Sequence, residues 1–175
     1  MSLQRLGPVA DRIDATTAAI GRTVAWCLLA MVIVQVAVVL MRYVLGLGSI
    51  WLQETVIYAH ATLFLLASPW TLQRGGHVRV DIFYANTSPR LKALIDLIGA
   101  VVLLLPFTFA LIALSLPYVA RSWAILERSR ETSGLPLVFA LKTLIPAFAL
   151  LLALQGVSQV IRAALMLVGR GERRG

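Results

Sequence analysis

Four stretches of the chain run without a single Asp, Glu, Lys or Arg: residues 23–41, 55–73, 97–120 and 143–161. They are 19, 19, 24 and 19 residues long and mostly apolar. A helix rising 1.5 Å per residue needs about 20 such residues to cross a ~30 Å hydrocarbon layer. The pattern therefore predicts an all-α membrane protein with four transmembrane helices. A further helix is predicted ahead of the first span, over 8–22. Pro8 suits its first turn, and Val9, Ile13, Thr16, Ile20 and Val24 fall on one stripe with Asp11, Asp14 and Arg22 elsewhere. That segment reads as an amphipathic helix leading into span one, lying on the membrane or against a partner.

Punctuation divides the rest. Gly46 and Gly48 predict a turn after span one, and Ser49 an N-cap for helix two. Gly75–Gly76 ends helix two, and Ser88–Pro89 opens helix three. Helix three is expected to run on past Arg121 to about Glu131, kinked at Pro106 and Pro117. Ser133-Gly134-Leu135-Pro136 forms a turn into helix four, which carries Pro146 early and stops at Gly169.

Composition sharpens this picture. Only 14% of the 175 residues are charged, against about 25% in soluble domains. The stretches between the spans are too short for a separate soluble module, so residues 1–175 form one membrane domain. The net charge of +8 does not indicate nucleic acid, because the basic residues flank spans, where they set topology and meet anionic lipid. Three Lys or Arg precede span one, four lie in 74–96 and four follow span four, whereas 42–54 has one and 121–142 has four. The positive-inside rule thus places both termini, the amphipathic helix and the 74–96 loop in the cytoplasm. Tyr43, Trp51, Tyr118 and Trp123 would mark the outer interface; Trp26, Trp70 and Tyr84 would mark the inner one. Cys27 is the sole cysteine, which rules out an internal disulfide.

Candidate chemistry is sparse. Ion and proton pathways through membranes usually carry an ionisable residue, and the spans hold no Asp, Glu, Lys or Arg and a single imidazole, His60. His60 and Gln35 lie at similar depth below the outer interface, which predicts an interhelical hydrogen bond between them. Arg42 ends helix one and Glu54 starts helix two, so an interfacial ion pair is expected. Gln155 and Gln159 are one turn apart on helix four and are expected to bind a neighbouring helix. Arg74-Gly75-Gly76-His77-Val78-Arg79-Val80-Asp81 lacks the spacing of a phosphate loop. His77 and Asp81, at i and i+4, are too few to argue for a metal. No cofactor is expected.

Several short motifs at the span ends occur in a characteristic order: Arg42-Tyr43-Val44, Ser49-Ile50-Trp51-Leu52-Gln53-Glu54, Gly76-His77-Val78-Arg79-Val80-Asp81, Ser133-Gly134-Leu135-Pro136, Lys142, Ile145-Pro146 and Leu154-Gln155. In this the chain resembles the small DctQ-like membrane subunit of tripartite ATP-independent periplasmic (TRAP) transporters over roughly 20–165. It departs from many relatives at Leu52-Gln53, where they carry Thr-Glu, and at Pro69 after Ala67-Ser68. Val78 to Tyr84 and Ser122-Trp123-Ala124-Ile125 resemble small subunits of systems for 2-oxo acids and related monocarboxylates.

The resemblance implies a non-catalytic subunit of the bacterial inner membrane. It would scaffold a large, DctM-like elevator subunit that carries the substrate and sodium sites. A periplasmic substrate-binding protein would deliver an organic acid and touch the loop 121–136. Arg42, Trp51, Glu54, His77, Arg79 and Asp81 become candidate interface or structural residues, beside Gln35 and His60. The alternative is an independent four-helix transporter working as a homodimer, against which the charge-free spans speak.

Overall fold

The structure, a computed structural model, describes residues 6–77 and 87–169. Four long helices alternate in direction: α1 (Gly7–Leu45), α2 (Ile50–Gln73), α3 (Pro89–Ala124) and α4 (Val138–Gly169), each long and apolar enough to cross a membrane. Both ends of the described chain lie at one end of the bundle, here the termini end; the 46–49 turn and the 125–137 loop lie at the opposite end.

The expected boundaries hold where a side chain or glycine supplies them. Gly46, with φ of 68°, closes α1, and the Ser49 hydroxyl accepts the Leu52 N–H at 3.4 Å. Gly75, also at 68°, follows α2. Ser88 caps α3 by accepting the Leu91 N–H at 3.3 Å.

Three expectations change. First, the N-terminal amphipathic helix is not a separate surface element. It is continuous with span one in a 39-residue helix, about 58 Å long at 1.5 Å per residue. Its buried stripe is Ala10, Thr17, Gly21 and Val24, which shares only Val24 with the predicted one. Bilayer helices associate through close backbone approach and polar contacts rather than through bulky apolar side chains, so the small residues face inward. A Cβ on Gly21 would lie 2.6 Å from the Trp70 Cβ of α2.

Second, α3 stops at Ala124 instead of reaching Glu131. The Leu126 N–H reaches the Trp123 carbonyl at 3.1 Å and the Glu127 N–H reaches that of Ser122 at 3.0 Å. This is a Schellman ending, with Leu126 (φ 45°) in the left-handed position usually held by glycine. Third, Pro106 is preceded by a π-helical stretch, Gly99–Leu104, in which the Leu105 N–H bonds to the Ala100 carbonyl five residues back. Proline removes a donor and crowds the carbonyl four residues before it, and a wider turn accommodates both. The wider turn also resets the register. Ala93 and Ala100 are buried seven residues apart, then Thr108, Ser115 and Ser122 continue the stripe after a step of eight. A step of seven would have turned Phe107 and Leu114 inward; they are 57% and 75% exposed.

α4 is the hub. It packs against the other three helices, whereas α3 rests mainly on α4 and α1 mainly on α2. Ala149, Leu152, Gln155, Gly156, Ser158, Ile161 and Ala163 of α4 are buried. Accessible surface totals 11611 Å², against about 8,400 Å² for a soluble globule of this mass. Large apolar side chains lie exposed along all four helices, a perimeter suited to lipid or a membrane partner.

Candidate functional site

Polar residues gather at the two ends of the bundle, and each cluster joins segments distant in sequence. At the opposite end, Glu54 in the first turns of α2 faces the 125–137 loop. Its carboxylate accepts from the Ser129 hydroxyl and, at 2.5 Å, from the Leu135 backbone N–H. The Ser129 N–H donates to the Leu135 carbonyl at 3.2 Å, and the Gly134 N–H to that of Glu131 at 3.0 Å, so the loop folds onto itself around the carboxylate. Gly134 is required by space, because a Cβ there would lie 2.4 Å from the Ser129 Oγ and 2.8 Å from the Glu54 Oε1.

The same loop is tied to α3 and α4. Glu127 accepts from Ser122 at 2.7 Å and from the Lys142 ammonium at 2.5 Å. Those two hydrogen bonds, from Lys142 above all, hold the Glu127 carboxyl below its usual range. Lys142 also sits 4.2 Å from the centre of the Tyr118 ring. Trp123 donates to the Thr143 hydroxyl at 2.9 Å and meets Phe139 edge-on at 4.6 Å.

At the termini end the centre is Asp14 of α1. Its carboxylate accepts from Ser158 at 2.7 Å, from Gln155 at 2.9 Å and from the Arg162 Nε at 2.8 Å, all on α4. Arg162 also pairs with Asp11 at 2.9 Å. Gln73, the last residue of α2, donates to the Asp14 backbone carbonyl at 3.1 Å, so three helices meet here. The Gln155 reading is borne out, since this residue bonds a neighbouring helix.

The sequence-predicted residues separate under this geometry. Glu54 does not pair with Arg42. Twelve residues across a tight turn permit that pair, but the loop offers Glu54 two donors, one of them a half-buried backbone N–H with no other acceptor, and Arg42 remains exposed. Gln35 and His60 do not bond each other either. Both are exposed, and the His60 ring lies against Phe64, 6.2 Å between centroids. Equal depth sets only the level of each residue; whether they meet depends on the angle about each helix axis. Gln35, Arg42 and Gln53 instead border an open cleft of about 530 Å³ between α1 and α2, floored by Val38, Val39, Val56 and Ile57. Trp51 is 51% exposed and His77 is exposed. Arg79 and Asp81 lie outside the described residues.

Asp14, Arg162, Ser129 and Glu127 were not singled out from the sequence. The first had a readable signal, because Asp14 sits inside the 4-3-4-3 spacing of Ala10, Thr17, Gly21 and Val24. The loop contacts had none, since they depend on where α3 ends. Among the described residues, no three His, Cys, Asp or Glu side chains cluster as a metal site.

What this arrangement performs is fastening. Ion-paired and hydrogen-bonded clamps lock the two ends of a bundle whose middle holds only neutral side chains. The Trp51-to-Glu54 and Ser133-to-Pro136 motifs and Lys142, 81 or more residues apart at their extremes, converge at one clamp. No curated protein and no solved structure matches the chain. The profile of one family, described as tripartite ATP-independent periplasmic transporters, DctQ component, matches residues 31–166. With four membrane-length helices joined by the motifs of that resemblance, the chain belongs to the DctQ family, the small membrane subunits of TRAP transporters.

Proposed function

We propose that the chain is a non-catalytic scaffold that steadies a large, DctM-like elevator subunit during sodium-coupled uptake of an organic acid from a periplasmic binding protein. The observation that carries this reading is the division of polarity within the bundle. Coupling-ion sites in membranes need carboxylates, carbonyls or other polar ligands at depth. Here the described charged residues lie toward the two ends of the bundle, and those held in the clamps join helices rather than line a path. A bundle fastened at both ends resists shear while its partner moves, and its large apolar perimeter offers area for docking.

In this reading both termini are cytoplasmic, following the excess of Lys and Arg at that end. The clamped 125–137 loop then faces the periplasm as a platform for the binding protein. Arg79 and Asp81 serve assembly rather than substrate binding. The residues around Val78–Tyr84 and Ser122–Ile125 favour a 2-oxo acid or another monocarboxylate as cargo.

The test is a mild-detergent pull-down of the tagged chain from its native membranes, with partners identified by mass spectrometry. Near-equimolar recovery of a large polytopic membrane protein supports the reading. Recovery of the chain with only itself overturns it. Asp81→Ala is expected to lower complex yield while leaving substrate affinity of the assembled complex unchanged.

A further inference from the structure

We propose that the α1–α2 groove at the opposite end, lined by Gln35, Arg42 and Gln53 with His60 exposed further along the same α2 stripe, is the surface on which a transmembrane helix of the large membrane subunit docks. This inference rests on the scaffold reading and adds the face by which the chain is held.

Most of the perimeter needs no protein cover. On α3, Val102, Leu103, Phe109 and Leu114 are 59–75% exposed and wholly apolar, which suits lipid. The α1–α2 face differs. Gln53, Ile57, His60 and Phe64 recur at i, i+4, i+7 and i+11, one outward stripe of α2. Gln35 and Arg42, seven residues apart, line the facing side of α1 across the groove. Gln35 lies six residues inside the end of the uncharged 23–41 run, about 9 Å below that boundary. At that depth acyl chains offer an amide or imidazole no hydrogen bond, and an unsatisfied polar group in hydrocarbon is costly.

Within the described chain none of these groups is satisfied. Gln35 and His60 have no hydrogen-bond partner, and the Arg42 guanidinium has no counter-ion. Glu54, the residue after Gln53 on α2, is committed to Ser129 and Leu135. An occupant that satisfies the groove is therefore a helix with an acceptor level with Arg42, a carboxylate or its own terminal carbonyls. It carries a hydrogen-bonding side chain about two turns deeper, level with Gln35 and His60. The concave floor of Val38, Val39, Val56 and Ile57 receives its apolar side chains.

The experiment is photo-crosslinking in native membranes, with p-benzoylphenylalanine replacing Val39, Ile57, Leu103 or Phe109 one at a time in the tagged full-length chain. Crosslinks from positions 39 and 57 to the large subunit, with none from 103 and 109, support the groove. Crosslinks to the large subunit only from 103 or 109 overturn the groove and leave the scaffold reading intact. Crosslinks from 57 to a second copy of the chain, or to lipid alone, also overturn it. If untreated membranes yield no large membrane partner at all, both fail together. As a second measurement, Gln35→Leu and Arg42→Ala are each expected to reduce recovery of the large subunit about three- to tenfold, the range for one interhelical polar contact in a membrane. The yield of the chain itself should be unchanged, because nothing within it is bonded to either residue. Unchanged recovery in both variants counts against the groove.

Discussion

Replacing Glu54 with alanine removes the acceptor of two hydrogen bonds that hold the 125–137 loop, from Ser129 and from the Leu135 N–H. Hydrogen bonds to charged groups contribute about 1.5–3 kcal/mol each. Glu54 and Ser129 are half-buried, so water recovers part of the loss and the lower figure applies, giving about 3 kcal/mol in all. Glu54→Gln separates charge from shape. Its amide oxygen still accepts from Leu135 and its NH₂ group donates to Ser129, but neutral bonds are roughly half as strong, so the expected loss is about 1.5 kcal/mol. The loop carries Arg128 and Arg130, which makes trypsin a direct probe of opening. When reclosing outpaces cleavage, the rate follows the open population. Cleavage after these two residues, followed by intact mass in detergent or nanodiscs, should accelerate on the order of 100-fold in Glu54→Ala and roughly tenfold in Glu54→Gln. Arg42→Ala should cleave at the wild-type rate. If Glu54→Ala also cleaves at that rate, or if Arg42→Ala matches it, the clamp reasoning is refuted.

Other outcomes follow from the same contacts. Asp14→Ala leaves Ser158, Gln155 and the partly exposed Arg162 without their shared acceptor, and should destabilise the bundle by about 2–3 kcal/mol, read as a lowered thermal midpoint in detergent; an unchanged midpoint refutes the clamp. Gly21→Ala drives a methyl group into Trp70 and should cost about 1–3 kcal/mol by overpacking, read the same way. Leu126→Gly relieves a left-handed leucine whose side chain is 57% exposed; it should stabilise the loop by up to about 1 kcal/mol and slow tryptic cleavage at Arg128. Because Glu127 is held below its ordinary value of 4.5 in the folded chain, its contribution is complete above 4.5 and lost as pH falls through the lowered value. Trp123 emission, obtained by difference from Trp123→Phe, should shift reversibly to the red below that pH in wild type and not in Glu127→Gln; an acid-induced shift of the same size in Glu127→Gln excludes the linkage.

Hydropathy alone determined the four spans and their alternation, because a bilayer admits little besides helices of that length. Local chemistry determined the boundaries at Ser49, Gly75 and Ser88, where a cap or a left-handed glycine acts within a few residues. The order of motifs at the span ends was enough to point to the family. What the sequence left open was azimuth. A helix can carry Asp14 outward or inward at equal local cost, and only packing of the small residues Ala10, Thr17 and Gly21 against α2 and α4 turned it inward. The π stretch before Pro106 then rotated the later part of α3 by one position, which no period-based reading anticipates. Glu54 found Ser129 and Leu135 rather than Arg42, because α3 ends at Ala124 without a glycine to announce it and the loop folds back over α2. Periodicity fixes which residues share a face; only contact between helices decides what that face meets.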